Sequence, residues 1–133
     1  MKFRYTRVAD LFLPGGYGYL PLVDVNFGPN KLPVKCLLDS GSQVSIIHSP
    51  LAVAAGLIPV NGKKSSLLGV GGEKIVGYYH KININVYGNE EEIDVFLTAD
   101  LRSPYGLLGQ IGFFQNFRVI FELRKLEFEI TQK

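Results

Sequence analysis

A single aspartate at the end of an apolar run is the feature of this sequence best suited to chemistry. Asp39 directly follows Leu37 and Leu38 and is followed by Ser40 and Gly41. A carboxylate at the end of a buried strand must be hydrogen-bonded or paired to remain charged, and a glycine two residues later lets backbone amides approach it closely. The carboxylate is therefore either part of a strand-ending turn or a reactive acid or base.

Two later segments accompany this motif in the same order as in a known family. Asp39-Ser40-Gly41 resembles the Asp-Thr/Ser-Gly signature of the retropepsin-like aspartic peptidases. The resemblance continues through the glycine-rich segment Gly69, Val70, Gly71 and Gly72, and through Leu107, Leu108 and Gly109. It covers about residues 20–130. Separately weak motifs are more informative when their order and spacing agree.

This resemblance implies an all-β fold: a retropepsin-like acid-protease barrel, forming one domain over residues 1–133, with one or two short helices. In the family, the segment at 69–72 is a hairpin flap that closes over the substrate, and the segment at 107–109 passes beside the active-site loop. The chemistry needs two aspartates sharing a proton, because like charges about 3 Å apart do not both ionise readily. The chain has one Asp-Ser-Gly, so the resemblance implies a homodimer in which both copies supply Asp39.

The implied activity is hydrolysis of peptide bonds without a metal or cofactor. One Asp39 draws a proton from water while the protonated second one polarises the scissile carbonyl. Ser40 is expected to lock the two loops together, and Ser42 to donate a hydrogen bond to the carboxylate, which would favour an acidic working range. An extended peptide with apolar residues beside the scissile bond would bind through its backbone to Gly41 and Gly72.

Two glutamines mark a departure from many viral members of the family. Those members carry an acid two residues after the signature glycine and an arginine directly after the later glycine. Gln43 and Gln110 occupy these positions here. Replacing both partners of an ion pair leaves no stranded charge, so we expect a coherent substitution, with Gln43 beside the substrate.

Apolar periodicity and turn residues predict the elements that position these motifs. Runs at 19–27 and 32–38, at 81–87 and 92–98, and at 119–123 and 126–130 are typical of three antiparallel hairpins. A short helix is predicted to have Ser49 as its N-cap, Pro50 at its first position and Gly56 after its end. A second is predicted from Gly109 to Asn116.

Composition narrows the class of protein. The chain has 133 residues, 47% of them hydrophobic and 20% charged, with a net charge of +2 and no clustered basic face, so we expect a folded domain that binds neither nucleic acid nor membrane. Cys36 is the only cysteine and excludes an internal disulfide, which favours a reducing, cytoplasmic location. No signal peptide or apolar stretch long enough to span a bilayer is present, which predicts a soluble protein.

Other readings of the same residues remain. Cys36 and the two histidines suggest a thiol hydrolase, but Cys36 lies inside a strand and is typical of a small buried apolar residue. His48 and His80 lack the neighbours that a metal site needs. The main alternative is a catalytically silent retropepsin-like module used for dimerisation or peptide binding. A further alternative is an enzyme excised from a polyprotein, which a longer reading frame would favour.

Overall fold

The computed structural model describes residues 1–69 and 71–133, and it is built mainly of β-strands. The strands, in chain order, are β1 (Lys2–Arg4), β2 (Thr6–Ala9), β3 (Tyr17–Leu20), β4 (Leu22–Phe27), β5 (Leu32–Leu38), β6 (Ile46–His48), β7 (Lys63–Leu68), β8 (Lys74–Val86), β9 (Asn89–Thr98), β10 (Gly106–Leu108), β11 (Phe117–Glu122) and β12 (Glu127–Gln132). One α-helix, α1, spans Ser49–Ala54.

The largest sheet closes into the predicted barrel. Its strand order is β4-β5-β10-β6-β9-β8-β7, and β4 pairs with β8 as well as with β5. That additional pairing joins the two sides of the sheet, leaving β7 outside a six-stranded closed barrel. Two of its pairings are parallel, β5 with β10 and β6 with β9, and these bring together segments distant in the chain.

The three predicted hairpins are confirmed. Strands β4 and β5, β8 and β9, and β11 and β12 pair antiparallel. The turn between β8 and β9 contains Tyr87 and Gly88, both with positive φ, which is the backbone that a tight two-residue hairpin requires. The predicted first and last residues of the strands were less accurate. Strand β8 begins at Lys74 because its first half pairs with β7, and the run at 19–27 divides at Pro21 into β3 and β4.

The N-terminal and C-terminal strands form two smaller sheets. Strand β12 lies between β1 and β11, and β2 pairs with β3. Ile120 and Phe121, which point to opposite faces of β11, are both exposed, whereas Phe128 and Ile130 on β12 are buried. The C-terminal hairpin therefore contributes its second strand to the core more fully than its first.

The core fills the barrel and the space beneath the C-terminal hairpin. Its buried members include Val25, Cys36, Ile47, Val95, Leu97, Leu108, Phe113, Phe117 and Phe128. The rings of Phe113 and Phe117 stack with centroids 4.8 Å apart. This packing fixes the position of the segment that leads from β10 to β11.

The two predicted helices have different outcomes. Helix α1 is confirmed, with His48 and not Ser49 as its N-cap, and Gly56 follows it with φ +93°. The predicted helix from Gly109 to Asn116 is a single irregular turn over Gln110–Phe114, because Ile111 and Gly112 have non-helical backbone angles. Within the described residues, no helix has the length and apolar character needed to cross a membrane.

Candidate active site

Asp39 lies where strand β5 leaves the barrel. Leu38, the last residue of β5, is buried, while the Asp39 side chain is partly exposed and lines a cleft. The backbone amide of Asp39 donates to the carbonyl of Leu108 at 3.0 Å, which extends the parallel pairing of β5 with β10 by one residue. The barrel thus fixes the backbone of Asp39 and leaves its carboxylate accessible.

A tight turn after Asp39 orients that carboxylate. The amide of Gly41 donates to Asp39 Oδ1 at 3.0 Å, and the amide of Ser42 donates to the Asp39 carbonyl at 3.1 Å. Ser40 and Gly41 are exposed at the tip of this turn. A backbone donor on one carboxylate oxygen restrains the rotation of the Asp39 side chain.

Ser42 does not make the hydrogen bond that the sequence predicted. Its hydroxyl donates to the carbonyl of Val44 at 2.7 Å, so it stabilises the loop rather than the Asp39 carboxylate. The hydrogen bond to the Asp39 carboxylate comes instead from the Gly41 amide. The expectation of an acidic working range therefore loses the support that Ser42 gave it.

The segment Leu107-Leu108-Gly109 passes beside the Asp39 loop, as the sequence predicted. Strand β10 lies between β5 and β6, with Leu107 opposite Leu37 on one side and Ile46 on the other. A Cβ on Gly109 would come within 2.6 Å of the Ser42 carbonyl oxygen and closer still to that of Val44. Only glycine allows the two backbones to approach this closely.

Gln110 connects the segment after β10 to the Asp39 loop through two hydrogen bonds. Its side-chain amide donates to the Ser40 carbonyl at 2.7 Å, and its backbone amide donates to the Ser42 carbonyl at 2.9 Å. Gln43, the other glutamine singled out in the sequence, is exposed and lines the cleft. The structure therefore brings Gln110 to the active-site loop through a backbone carbonyl and not through a pair with Gln43.

Ser45 is a positioning residue that sequence reasoning missed. It is almost fully buried, and its hydroxyl accepts from the Gly109 amide at 3.0 Å and donates to the Ile111 carbonyl at 3.0 Å. It thereby ties β10 and the irregular turn to the Asp39 loop. A lone hydroxyl between Val44 and Ile46 was the available signal, because a buried polar group in an apolar run needs partners.

Three glycines of the glycine-rich segment, Gly69, Gly71 and Gly72, lie between β7 and β8. The Gly69 amide donates to the Glu73 carbonyl at 2.8 Å and the Gly72 amide to the Gly69 carbonyl at 3.0 Å. Gly72 has φ +84°, which favours glycine. Val70, assigned to this segment from the sequence, lies outside the described residues. Gly71 is exposed, and the Glu73 carboxyl lies against Gly69 and Gly71.

An open cleft of about 1090 Å³ separates this hairpin from the Asp39 loop. Its lining contains Asp39, Gly41, Ser42, Gln43, Val44, Ile46, Leu67, Leu68, Gly69, Glu73, Lys74, Ile75, Ala99, Asp100, Leu101, Arg102, Ser103 and Leu107. The cleft is thus apolar in part, with charges from the hairpin and from the loop at 99–103. The sequence did not identify the loop at 99–103 as part of a site, because that stretch contains no recognisable motif.

The competing candidate residues lie elsewhere and are structural. Burial raises the pKa of the Cys36 thiol, and the negative charge of Asp24 adds to the effect, so the thiol is a poor nucleophile. His48 Nε2 lies 3.2 Å from the Ala99 carbonyl and His80 Nε2 lies 2.8 Å from that of Pro59. No cluster of three or more metal-ligating side chains occurs among residues 1–69 and 71–133.

Comparison with known proteins agrees with this geometry. The family model described as "Aspartyl protease" matches residues 14–102. DNA damage-inducible protein 1 of Saccharomyces cerevisiae is 30% identical over 106 residues, which are 71% of this chain and 25% of that protein. Protein DDI1 homolog 2 of Homo sapiens is 25% identical over 100 residues, or 66% of this chain and 25% of that protein. The chain spans about a quarter of the length of these relatives.

A solved structure supports the same architecture. The chain titled "EIAV protease complexed with the inhibitor HBY-793" aligns with a TM-score of 0.54 and 21% identity, covering 68% of this chain and 82% of that one. At this identity the likeness concerns the fold alone. The family match rests on residue types, and the structural match rests on the path of the backbone.

Proposed function

Because the chain belongs to the retropepsin-like aspartyl protease family, we propose that it is an aspartic endopeptidase that works as a homodimer. One observation carries the proposal. The Asp39 carboxylate, restrained by the Gly41 amide, lies at an open cleft that the hairpin of β7 and β8 borders on its other side. A carboxylate at a site with room for an extended chain is suited to activating water against a bound peptide.

The need for a second copy follows from the carboxylates in the cleft. General acid–base hydrolysis of a peptide bond requires one ionised and one protonated group close together. The other acids lining the cleft, Glu73 and Asp100, belong to other segments than the turn that holds Asp39, namely the hairpin and the loop at 99–103. A two-fold axis beside Asp39 would supply an equivalent carboxylate in equivalent surroundings.

In this dimer, one Asp39 removes a proton from water and the other donates a hydrogen bond to the scissile carbonyl. The Gly41 amide holds one carboxylate oxygen, while Ser40, exposed at the turn, would contact its counterpart across the axis. The peptide would lie extended between the loop and the hairpin, with backbone hydrogen bonds to Gly41 and Gly72. Leu67 and Ile75 in the cleft lining favour apolar substrate side chains.

Strand β11 supplies a surface through which two copies could pair. Strand β1 lies on the other side of β12 within the same chain, so β11 is a free edge of that sheet in the described part of the chain. Ile120 and Phe121 on β11 are exposed. A free edge bearing apolar side chains favours pairing with another strand, here the same edge of a second copy.

The central experiment compares the wild type with Asp39→Asn on a mixed peptide library, read by mass spectrometry at about pH 3.5–7, the range in which such carboxylate pairs titrate. Asp24→Asn is the matched control, because Asp24 is exposed on β4 and paired with Lys35 at 3.3 Å, outside the cleft lining. We expect cleavage between apolar residues that Asp39→Asn abolishes and Asp24→Asn retains. Inhibition by pepstatin would add support.

Mixing the two proteins tests whether the site is shared. If equal amounts of wild type and Asp39→Asn exchange subunits freely, about a quarter of the dimers carry two intact carboxylates. Activity per wild-type chain should then fall by about half on mixing. Unchanged activity would contradict a shared site. A folded wild-type dimer that cleaves nothing at any pH would instead favour a catalytically silent binding module.

A further inference from the structure

The N-terminal arm, residues 6–20, is a hairpin that stands apart from the barrel. Strands β2 and β3 pair in register from Thr6 opposite Leu20 to Ala9 opposite Tyr17. Within residues 1–69 and 71–133, neither strand pairs with any further strand. A two-stranded hairpin is marginally stable in water unless it packs on another surface. The arm therefore has the form of an element that completes its packing elsewhere.

The tip of the arm is apolar, ordered and almost completely exposed. Leu11, Phe12 and Leu13 have exposed fractions of 91%, 99% and 45%. Hydrogen bonds close the turn behind them: the Asp10 carboxylate accepts from the Phe12 amide at 3.0 Å, and the Asp10 amide donates to the Gly16 carbonyl at 3.0 Å. Exposed apolar clusters rimmed by polar groups mark interaction sites.

The root of the arm lies beside the candidate catalytic carboxylate. The Leu38 amide, one residue before Asp39, donates at 3.1 Å to the carbonyl of Pro21, the residue directly after the arm. Four-residue strands extend roughly 13 Å at about 3.3 Å per residue. The arm thus starts next to the loop that a second Asp39 must approach in the proposed dimer, and a hairpin of this length could reach the chain that carries it.

We propose that the N-terminal arm packs its tip on a second copy of this chain in the dimer. The inference rests on the proposed function, which requires that dimer. At about 150–200 Å² for each fully exposed side chain of this size, the two tips of a dimer present on the order of 800 Å². A standard protein interface buries about 1,600 Å² in total, so the tips would be a substantial part of it.

A second copy fits the tip better than a lipid surface does. Insertion of the tip into a bilayer would carry the Asp10 carboxylate, which is hydrogen-bonded within the same turn, towards the apolar phase. Burial against protein leaves that carboxylate at a solvated rim. The family match begins at residue 14, so β1, β2 and the apolar tip lie outside the matched residues.

The test is the dimer dissociation constant of the full chain, measured by sedimentation equilibrium. The variant is Leu11→Ser with Phe12→Ser, and the matched control is Ile58→Ser with Val60→Ser. The control pair is 60% and 65% exposed and lies outside the arm. We expect the tip variant to dimerise about tenfold or more weakly, since centrally buried apolar anchors dominate such interfaces, and the control to dimerise as the wild type does.

Hydrogen exchange supplies a second measurement that requires no variant. Amides of β2 and β3 in the wild type should be better protected at protein concentrations above the dissociation constant than below it. A tip variant that dimerises like the wild type, or arm protection independent of concentration, would overturn the proposal. So would binding of the wild type to phosphatidylserine vesicles that the tip substitutions abolish.

The outcomes for the arm and for the proposed function are distinguishable. Dimerisation is measured without catalysis, so a wild-type dimer with no peptidase activity would refute the peptidase and leave the arm result standing. A wild type with peptidase activity and an unaffected tip variant would refute the arm alone. A wild type that remains monomeric at every concentration would refute both.

Discussion

Removing the side chain of Gln110 should loosen the active-site loop without unfolding the barrel. Gln110→Ala deletes one neutral hydrogen bond, of 2.7 Å, to the Ser40 carbonyl. Such a bond contributes about 0.5–1.5 kcal/mol net, and because Gln110 is exposed, water can replace it in part. We therefore expect unfolding to become about 0.5–1 kcal/mol easier, or roughly 2–4 °C in Tm for a chain of this size.

The effect on catalysis should exceed the effect on stability. The Ser40 carbonyl belongs to the turn that aims the Asp39 carboxylate, and small misplacements of reacting groups cost up to about 100-fold in rate. The backbone amide of Gln110 still donates to the Ser42 carbonyl in the variant, which limits the displacement. We expect kcat of the proposed peptidase to fall by about tenfold with little change in KM.

The assay pairs urea unfolding at one fixed protein concentration with peptide cleavage kinetics, because dimer stability depends on concentration. Gln43→Ala is the matched control: Gln43 is the second exposed glutamine at this site, and it lines the cleft while Gln110 bonds the loop. Its effect should fall on KM. Equal unfolding midpoints and equal kcat values for the two variants would refute the positioning role of Gln110.

Three further predictions follow from buried contacts. Gly109→Ala should destabilise the fold by about 2 kcal/mol or more, because the new Cβ overlaps two backbone carbonyls. In the same urea titration, Gly71→Ala should lower the free energy of unfolding by less, because its new Cβ contacts only the flexible Glu73 carboxyl. Ser45→Ala leaves a buried amide and a partly buried carbonyl without their partner and should cost about 1–3 kcal/mol, whereas exposed Ser66→Ala should be near neutral; equal unfolding midpoints would contradict this. Burial holds the pKa of Cys36 above its ordinary value of 9.0, so just above that pH only the thiol of the unfolded chain ionises. The free energy of unfolding should therefore fall with rising pH by about 1.4 kcal/mol per pH unit more in the wild type than in Cys36→Ala. Identical slopes for the two proteins between pH 9 and 10.5 would show that the thiol titrates alike in both states.

Local chemistry determined the parts of the fold that the sequence predicted well. The hairpins form where alternating apolar residues flank turn residues, as at Gly88 between β8 and β9, and each decision is made within about ten residues. The turn after Asp39 is of the same kind, because Ser40 and Gly41 permit it and the Gly41 amide completes it. The order of the three motifs added the family resemblance, which the comparisons confirm.

Tertiary structure decided which partners the site residues meet. Local pattern favoured a helix after Gly109, but packing of Phe113 in the core and the bonds of Gln110 to the loop produce an irregular turn. The sequence predicted that the Ser42 hydroxyl bonds the Asp39 carboxylate, but in the folded loop this hydroxyl donates to the Val44 carbonyl. Competition between nearby partners is resolved by geometry that a sequence pattern does not contain.

Pairing between strands that are distant in the chain accounts for the parts of the site that the sequence did not predict. Strands β5 and β10 lie side by side although about seventy residues separate them, and this pairing brings Ser45 and Gln110 to the Asp39 loop. The amino-acid sequence by itself determined the carboxylate, its turn and the glycines, because these depend on neighbouring residues. Their assembly into one cleft, and the exposed N-terminal arm beside it, depended on the closure of the barrel, where packing free energy summed over the whole core outweighs any local preference.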